Sequence, residues 1–160
     1  MQQKEITNTQ QVADVFEVPK AGRVLAIDPG TRRCGVAVCD ELRVTTRPLD
    51  FIARKSWKNL LANIKNLVAE YDAVALVIGL PLESDGTDGP MTAEARDMAR
   101  KFALSLDVPV VLQDERVTSY EAKSRLWSEG VSISKARNLT DSTAAAIILA
   151  DFLDRLNNKK

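Results

Sequence analysis

The 160-residue chain contains no histidine. A Ser-His-Asp triad, a Cys-His pair and a zinc site with histidine ligands are therefore all excluded. Any catalytic or metal-binding side chains in this protein must therefore be carboxylates, lysines, hydroxyls or thiols.

Cysteine is scarce, with only Cys34 and Cys39 in the chain. The two are five residues apart on one predicted strand, so their side chains should point to opposite faces. They can neither bond to each other nor bind the same metal ion. We expect both to be buried thiols of a protein in a reducing compartment.

The chain also lacks a long hydrophobic run and an excess of charge. No apolar stretch approaches the roughly 20 residues that a membrane span needs, and the polar segment 1–20 lacks the features of a signal peptide. These absences predict a cytoplasmic protein with no membrane partner. Since 22 basic residues balance 22 acidic ones, attraction to nucleic acid must come from local clusters of charge.

The length suits one domain with a substantial core. We expect this domain at residues 23–156, after a flexible N-terminal extension at 1–22 and before a polar tail at 157–160. Val12, Val15 and Phe16 leave open a short helical turn docked on the domain.

Three apolar segments at the start of the domain predict strands: Val24–Asp28, Cys34–Asp40 and Val44–Ile52. Short polar connections join them, which favours an antiparallel meander. Pro48 cannot donate a ladder hydrogen bond, so the third strand should lie at a sheet edge.

Helical and strand patterns alternate in the rest of the chain. The predicted elements are a helix at Trp57–Tyr71 capped by Ser56, a strand at Ala73–Gly79, a helix at Met91–Leu106, a strand at Val108–Gln113, a helix from the capping box Thr118-x-x-Glu121 to Gly130, and a last helix from about Thr140. Helical crossovers make the first, fourth and fifth strands parallel. The sequence thus predicts an α/β fold with a five-stranded mixed sheet, three antiparallel strands then two parallel, and helices on both faces.

Acidic residues from distant parts of the chain are predicted to meet at one edge of this sheet. Asp28 ends the first strand, Asp114 and Glu115 end the fifth, and Asp141 heads the packed face of the last helix. Alone, Asp28 could belong to an ordinary turn and Asp141 could be a helix cap. Their convergence at the carboxyl ends of parallel strands favours a shared site.

Clustered carboxylates are the ligands that Mg²⁺ prefers. Bound ions of this kind can activate water and stabilise the leaving oxygen in phosphodiester hydrolysis, and no histidine base is needed. Strand alternation places Glu115 on one face with Val111 and Gln113, and Asp114 on the other. We favour Glu115 as the ligand, with Asp114 as the alternative or as a supporting residue.

Two groups of basic residues could contact phosphates, although each residue alone is typical of a solvated surface. One group follows the second strand and the other follows the fifth: Arg43, Arg47, Arg54, Lys55 and Lys58, then Arg116, Lys123, Arg125, Lys135 and Arg137. Arg32 and Arg33 are candidates beside the metal.

Four sequence blocks together resemble the YqgF/RuvX family, in order, from about Arg23 to Leu156. They are Asp28-Pro29-Gly30-Thr31 with Gly35-Val36-Ala37, Ile78-Gly79-Leu80-Pro81-Leu82 with Asp85-Gly86, Asp114-Glu115-Arg116, and Asp141-Ser142-x-Ala144-Ala145. The resemblance implies a ribonuclease H-like fold, a relationship to Holliday junction resolvases, and a nuclease that processes the 5′ end of the 16S ribosomal RNA precursor.

The acidic positions of the family correspond to Asp28, Glu115 and Asp141. Our hypothesis is that these residues are catalytic and bind Mg²⁺ or Mn²⁺. The residues expected to hold the nucleic-acid backbone are Thr31, Arg32, Arg33 and Arg116.

Other functions remain open at this point. An Asp-x-Gly-Thr turn also occurs in actin-like and sugar-kinase ATPases, although these place the nucleotide between two domains. A non-catalytic RNA-binding module for ribosome assembly is another possibility. Structured RNA and branched four-way DNA are alternative substrates, and either a monomer or a homodimer fits them.

Overall fold

The computed structural model describes residues 12–115 and 140–158, and of Thr140 and Asp141 only the backbone. Eight main elements build the domain. The strands are β1 (Val24–Asp28), β2 (Arg33–Cys39), β3 (Thr46–Ala53), β4 (Ala75–Leu80) and β5 (Val110–Asp114), and the helices are α1 (Trp57–Tyr71), α2 (Thr92–Ser105) and α3 (Thr140–Asn157).

The strands form one sheet in the order β3-β2-β1-β4-β5. β2 pairs antiparallel with β1 and β3, while β4 pairs parallel with β1 and β5. The predicted mixed sheet is therefore confirmed, with β1 at its centre. Pro48 lies in the edge strand β3, opposite Ala37 of β2, where its missing N–H removes no ladder bond.

Helices cover both faces of the sheet, as predicted. On one face, α1 and α2 contribute Ile64 and Phe102 to a core that includes Leu25 of β1. On the other, α3 packs through Leu149 and Phe152. Because each central strand is apolar on both sides, burying both faces removes much more apolar surface from water than one layer of helices could.

The two cysteines lie in opposite core layers, Cys34 towards α1 and α2 and Cys39 towards α3. Both are free and buried. Burial raises the pKa of each thiol, because the thiolate would lose its hydration. They are small hydrophobic core residues, as their spacing predicted.

The first helix begins where the sequence predicts. The Ser56 hydroxyl oxygen accepts a hydrogen bond of 3.1 Å from the backbone N–H of Asn59, which satisfies one of the free donors of the first turn. Trp57 then packs against Phe102 with ring centroids 4.7 Å apart. This contact joins the start of α1 to α2.

Residues 12–22 are folded onto the domain, which corrects the flexible extension expected there. The N–H of Ala13 donates to the carbonyl of Val110 at 2.7 Å, at the outer edge of β5. Val15 and Val18 are buried beside α3, and Val15–Glu17 form one turn of 3₁₀ helix. The docked turn is the alternative that the apolar residues had left open.

Several predictions fall outside the described residues. These are the helix from Thr118 to Gly130, the basic loop that follows it, and the segment 1–11. No helix in the described part of the chain combines the length and the apolarity needed to cross a membrane.

Candidate active site

The alternation of β1 decides where the Asp28 side chain points. Val24 and Ala26 belong to the core under α3, so Asp28, two residues further, projects from the same face at the end of the strand. Opposite it in the sheet is Gly35 of β2. Asp28 therefore reaches the rim of the sheet on the side covered by α3.

β5 brings Glu115 to the same place. Val111 packs under α3, and the amide oxygen of Gln113 accepts a hydrogen bond of 3.0 Å from Arg155 of α3. Glu115 continues this alternation just beyond the strand, whereas Asp114 has the opposite parity. Strand alternation had favoured Glu115 over Asp114 for this position, and Glu115 is the acid that the fold brings to Asp28.

The Glu115 carboxyl is hydrogen-bonded to that of Asp28. Burial, the charge of Asp28, this hydrogen bond and the charge of Asp114, in that order, raise the pKa of Glu115 to about 8. Each of these effects disfavours the carboxylate form. At neutral pH and without a cation, the Asp28–Glu115 pair therefore holds a proton.

Gly79 provides the space that Glu115 occupies. A Cβ atom at this position would lie 2.6 Å from Glu115 Oε2 and 2.7 Å from Ile148 Cδ1. Any larger residue would displace either the carboxyl or α3. The sequence placed Gly79 in a family block but gave it no structural role, because the need for glycine arises from a neighbour 36 positions away in the chain.

The start of α3 is fixed next to the strand that pairs with β1. The hydroxyl oxygen of Ser142 accepts a hydrogen bond of 3.2 Å from the backbone N–H of Val36, and Val36 lies opposite Ile27, the residue before Asp28. The backbone of Asp141 directly precedes this anchor. The side chain of Asp141 lies outside the described residues, and within them no cluster of three metal-binding side chains is present.

The turn between β1 and β2 is held by Arg54, which follows β3. The guanidinium donates to the carbonyl of Gly30 at 2.9 Å and to Glu94 of α2 at 2.5 Å. The backbone N–H of Arg54 donates to the carbonyl of Arg32 at 2.8 Å. The turn that follows Asp28 is thus attached to both β3 and α2.

The residues expected to contact nucleic acid lie on this turn, at the start of β2 or outside the described part of the chain. Thr31 and Arg32 are exposed. Arg33 is also exposed, and its guanidinium carbon lies 4.8 Å from the ring centroid of Phe51. Arg116 is outside the described residues.

The loop after β4 is held in place by Thr92, the first residue of α2. Its buried hydroxyl donates to the carbonyl of Pro81 and accepts from the N–H of Gly89 at 2.7 Å. Asp85 closes the tip of the loop by accepting from the N–H of Thr87 at 3.0 Å. Polar loop composition alone did not reveal these anchors.

The observed carboxyl pair suits a divalent cation. Two acids that hydrogen-bond to each other at the end of two parallel strands supply only oxygen ligands, the type that Mg²⁺ and Mn²⁺ prefer. A cation would also favour the charged form of Glu115 that burial disfavours. The residues present therefore fit a metal of this class.

A central β1 flanked by an antiparallel β2 and a parallel β4, with a carboxyl pair at the rim, defines the ribonuclease H-like class. Among solved structures, T. thermophilus RuvC in complex with a Holliday junction substrate is similar to this chain, with a TM-score of 0.57 and 16% identity over 87% of this chain and 98% of that one. A second RuvC structure gives a TM-score of 0.55 at 15% identity over 84% and 96%. These likenesses support the fold.

Sequence comparisons give the family. A protein of Syntrophus aciditrophicus named "Putative pre-16S rRNA nuclease" is 41% identical over 86% of this chain and 92% of its own. A protein of Anaeromyxobacter dehalogenans with the same name is 42% identical over 83% and 97%. Residues 22–155 match the family described as "RuvX: Holliday junction resolvase". The chain belongs to the RuvX family, as the four sequence blocks indicated.

Proposed function

We propose that this protein is a metal-dependent endonuclease that hydrolyses phosphodiester bonds during maturation of the 5′ end of pre-16S ribosomal RNA. The observation that carries the proposal is the contact between the Asp28 and Glu115 carboxyls at the rim of the sheet. The names of the relatives point to pre-16S ribosomal RNA as the substrate. The Asp28–Glu115 pair is a site that can bind the divalent cation needed for hydrolysis.

In this proposal Asp28 and Glu115, with Asp141 from α3, hold Mg²⁺ or Mn²⁺. When bound, such an ion lowers the pKa of a water molecule and offsets the negative charge on the leaving oxygen. Nucleases of this fold family generally use divalent metal ions. On binding such an ion, the carboxyl pair would release to solvent the proton that it holds in the metal-free protein, and Asp28 and Glu115 would both ligate the ion as carboxylates.

The remaining residues position the substrate. Thr31, Arg32 and Arg33 follow Asp28 on a turn held by Arg54, and Arg116 directly follows Glu115 in the sequence. Backbone contacts of this kind orient a strand without reading its bases. Since the phosphate must lie within reach of the acids, a turn held at the carbonyls of Gly30 and Arg32 contributes to the correct geometry.

Cleavage of branched DNA is the second candidate. The family description and the fold shared with a junction-bound RuvC favour it. A resolvase that cuts two strands would act as a homodimer, whereas an RNA-processing nuclease can act as a monomer.

The proposed function also implies a location. A protein that acts on a ribosomal RNA precursor works in the cytoplasm, and a reducing compartment suits its two free buried thiols.

The test is a cleavage assay on a pre-16S RNA transcript that carries its 5′ extension and on a synthetic four-way junction, in Mg²⁺, Mn²⁺ or EDTA. We expect metal-dependent cutting of the RNA by the wild type and a loss of at least about 10²-fold in Asp28→Asn and Glu115→Gln. Asp107→Asn, at an exposed position before β5, is the matched control and should remain active.

The possible outcomes separate the candidates. Cutting of the junction alone would replace RNA by branched DNA as the substrate. Cutting that persists in Asp28→Asn or in EDTA would overturn the proposed site. RNA binding with no cutting under any condition would favour a non-catalytic assembly factor.

A further inference from the structure

A concave site lies behind the β1–β2 turn, between the start of α1 and the face of α2 that runs from Glu94 to Lys101. It is a pocket of about 470 Å³, and Thr31 stands at its edge. Neither Asp28 nor Glu115 lines it. Its size is within the range of roughly 300–1,000 Å³ that is typical of small-ligand sites.

Trp57 provides the aromatic wall of this pocket. The indole is half-buried, and its contact with Phe102 at 4.7 Å holds the ring in place. Lys101 Nζ lies 5.3 Å from the ring centroid, so a face of the ring is accessible to an exposed, flexible side chain. A ring that is held by Phe102 and contacted by a flexible lysine can accept a flat ligand when the lysine moves aside.

The polar lining carries groups of both signs. Lys55 and Lys101 can bind a phosphate, while Glu94 and Asp97 can accept hydrogen bonds from the amino groups of a base. Asp97 is paired with Lys101 at 3.4 Å and also with Arg100, and because these ion pairs are partly exposed a ligand can replace them at little cost. Arg54 is already engaged with Glu94 and with Gly30. A flat, nitrogen-rich ring attached to an anionic group would use the aromatic wall, the carboxylates and the lysines together.

We propose that this pocket binds one unpaired nucleotide of the substrate strand, with its base against Trp57 and its phosphate near Lys101. The inference rests on the proposed nuclease function and adds a preference within it. A base that is paired in a duplex cannot present its face to a side chain, whereas an unpaired base can be turned out and stacked.

The pocket lies on the α1 and α2 side of the sheet and Asp28 projects towards the α3 side, so a strand that reaches both must pass over the β1–β2 turn that joins them. Thr31 is three residues from Asp28, a distance of at most about 10 Å along the chain. Arg54 lines the pocket and also holds Gly30 of the same turn. We therefore expect cleavage next to unpaired nucleotides to be favoured over cleavage within a fully paired arm.

Binding can be measured without cleavage, in EDTA, through the fluorescence of Trp57. The chain has two tryptophans, so in a Trp127→Phe variant only Trp57 reports. Short single-stranded oligoadenylate should quench its emission in a saturable way, and the same strand paired with oligouridylate should quench much less. Equal quenching by the two forms, or none by the single strand, would overturn the proposal.

Free nucleotides form the second arm of this experiment. Adenosine 5′-monophosphate should bind weakly and compete with the oligoadenylate. ATP that binds more tightly than the oligoadenylate, with or without Mg²⁺, would instead assign the pocket to a free nucleotide and overturn the strand proposal.

Variants then connect the pocket to turnover. In Trp57→Leu, which keeps an apolar side chain against Phe102, KM for an RNA with unpaired nucleotides beside the cut should rise about tenfold, while kcat stays within about twofold. Trp57→Phe keeps an aromatic ring and should restore most of the affinity for this RNA. Lys101→Ala should also raise KM. Lys65→Ala, at an exposed position further along α1, is the control and should leave KM unchanged.

These readouts separate the two proposals. Quenching by single strands with no nuclease activity would leave the pocket standing and overturn the function. Normal cleavage with an unchanged KM in both Trp57→Leu and Lys101→Ala would overturn the pocket and leave the function intact.

Discussion

The Glu115 carboxyl is buried beside a second carboxyl, so its charged form is unfavourable until a cation is bound. Its pKa of about 8 lies well above the roughly 4.3 of a glutamate in an unfolded chain. Between these values the folded state binds a proton that the unfolded state has released. The free energy of unfolding therefore decreases as the pH rises through this interval.

This titration predicts the effect of Glu115→Gln on the metal-free protein. The amide cannot ionise, so the variant should gain stability relative to the wild type as the pH rises from 5 to 8.5. Thermal unfolding in EDTA across this range measures the difference in Tm. Glu70→Gln, at an exposed position on α1, is the control. A difference between Glu115→Gln and the wild type that is constant with pH would contradict the pKa assigned to Glu115.

A methyl group at position 79 should damage the site more than the fold. In Gly79→Ala the new Cβ would lie 2.6 Å from Glu115 Oε2, so the carboxyl must move. We expect overpacking to cost about 1–3 kcal/mol of stability and the displaced carboxyl to reduce kcat by about 10²-fold. Thermal unfolding and the RNA cleavage assay measure the two effects separately.

Gly89→Ala is the matched control for that variant. Its Cβ would meet Glu83 Oε2 at 2.5 Å, but the Glu83 side chain is exposed and can move aside. Activity should be nearly unchanged. Equal losses in the two variants would show that a general intolerance of glycine substitution explains the result.

Among the structural elements, the β1–β2 turn depends on a side chain from another part of the chain. Arg54→Ala removes the hydrogen bond to Gly30 and leaves Glu94 without this partner. We expect a loss of about 1 kcal/mol in stability and a kcat reduced about tenfold, because the residues after Asp28 lose their support. Arg54→Lys should recover part of the activity.

The control for Arg54→Ala uses a second Arg–carboxylate pair, between Arg96 of α2 and Asp88 in the loop before α2. Arg96 lies 3.2 Å from Asp88, and both side chains are about half exposed or more. Arg96→Ala should change stability by less than about 1 kcal/mol and leave kcat unchanged. A kcat in Arg54→Ala as high as in Arg96→Ala would contradict the supporting role of Arg54.

α3 is attached to the sheet by one polar contact at its start and by apolar packing elsewhere. Ser142→Ala leaves the buried N–H of Val36 without its acceptor, which should cost about 1–3 kcal/mol and lower Tm by about 2–4 °C for each kcal/mol. Asn66→Ala, exposed on α1, is the control in the same unfolding experiment. An unchanged Tm would show that the hydroxyl contributes no net stability.

At the scale of the whole molecule, the N-terminal segment completes the core. Val15 and Val18 are buried at 8% and 3% exposure, and Ala13 covers the edge of β5. A chain beginning at Pro19 should lose at least about 2 kcal/mol of unfolding free energy. Urea denaturation measures this, and a chain beginning at Val12, which keeps these contacts, is the control. Equal midpoints would contradict the packing role.

Prediction from sequence succeeded where a local pattern has one physical interpretation. The apolar spacing and the Ser56 cap gave α1, and Pro48 gave the sheet edge. Alternation along β5 put Glu115 on the face that also carries Asp28, while its role as a metal ligand stays a prediction. Prediction missed the structural roles of Gly79, named only in a family block, and of Arg54, named only as a possible phosphate contact, because these roles come from the neighbours that the two residues meet. A glycine inside an apolar strand and an arginine beside a lysine carry no signal of these contacts.

The sequence by itself determined the order of helices and strands, the two-sided core and the membership of the RuvX family, since these depend on periodicity, turn chemistry and short blocks of residues. Only the tertiary structure decided that Glu115 is buried against Asp28 in space left by Gly79, that Arg54 holds the turn, and that Val15 and Val18 belong to the core. The physical reason is that desolvation, close approach and pairing of charges arise between residues far apart in the chain.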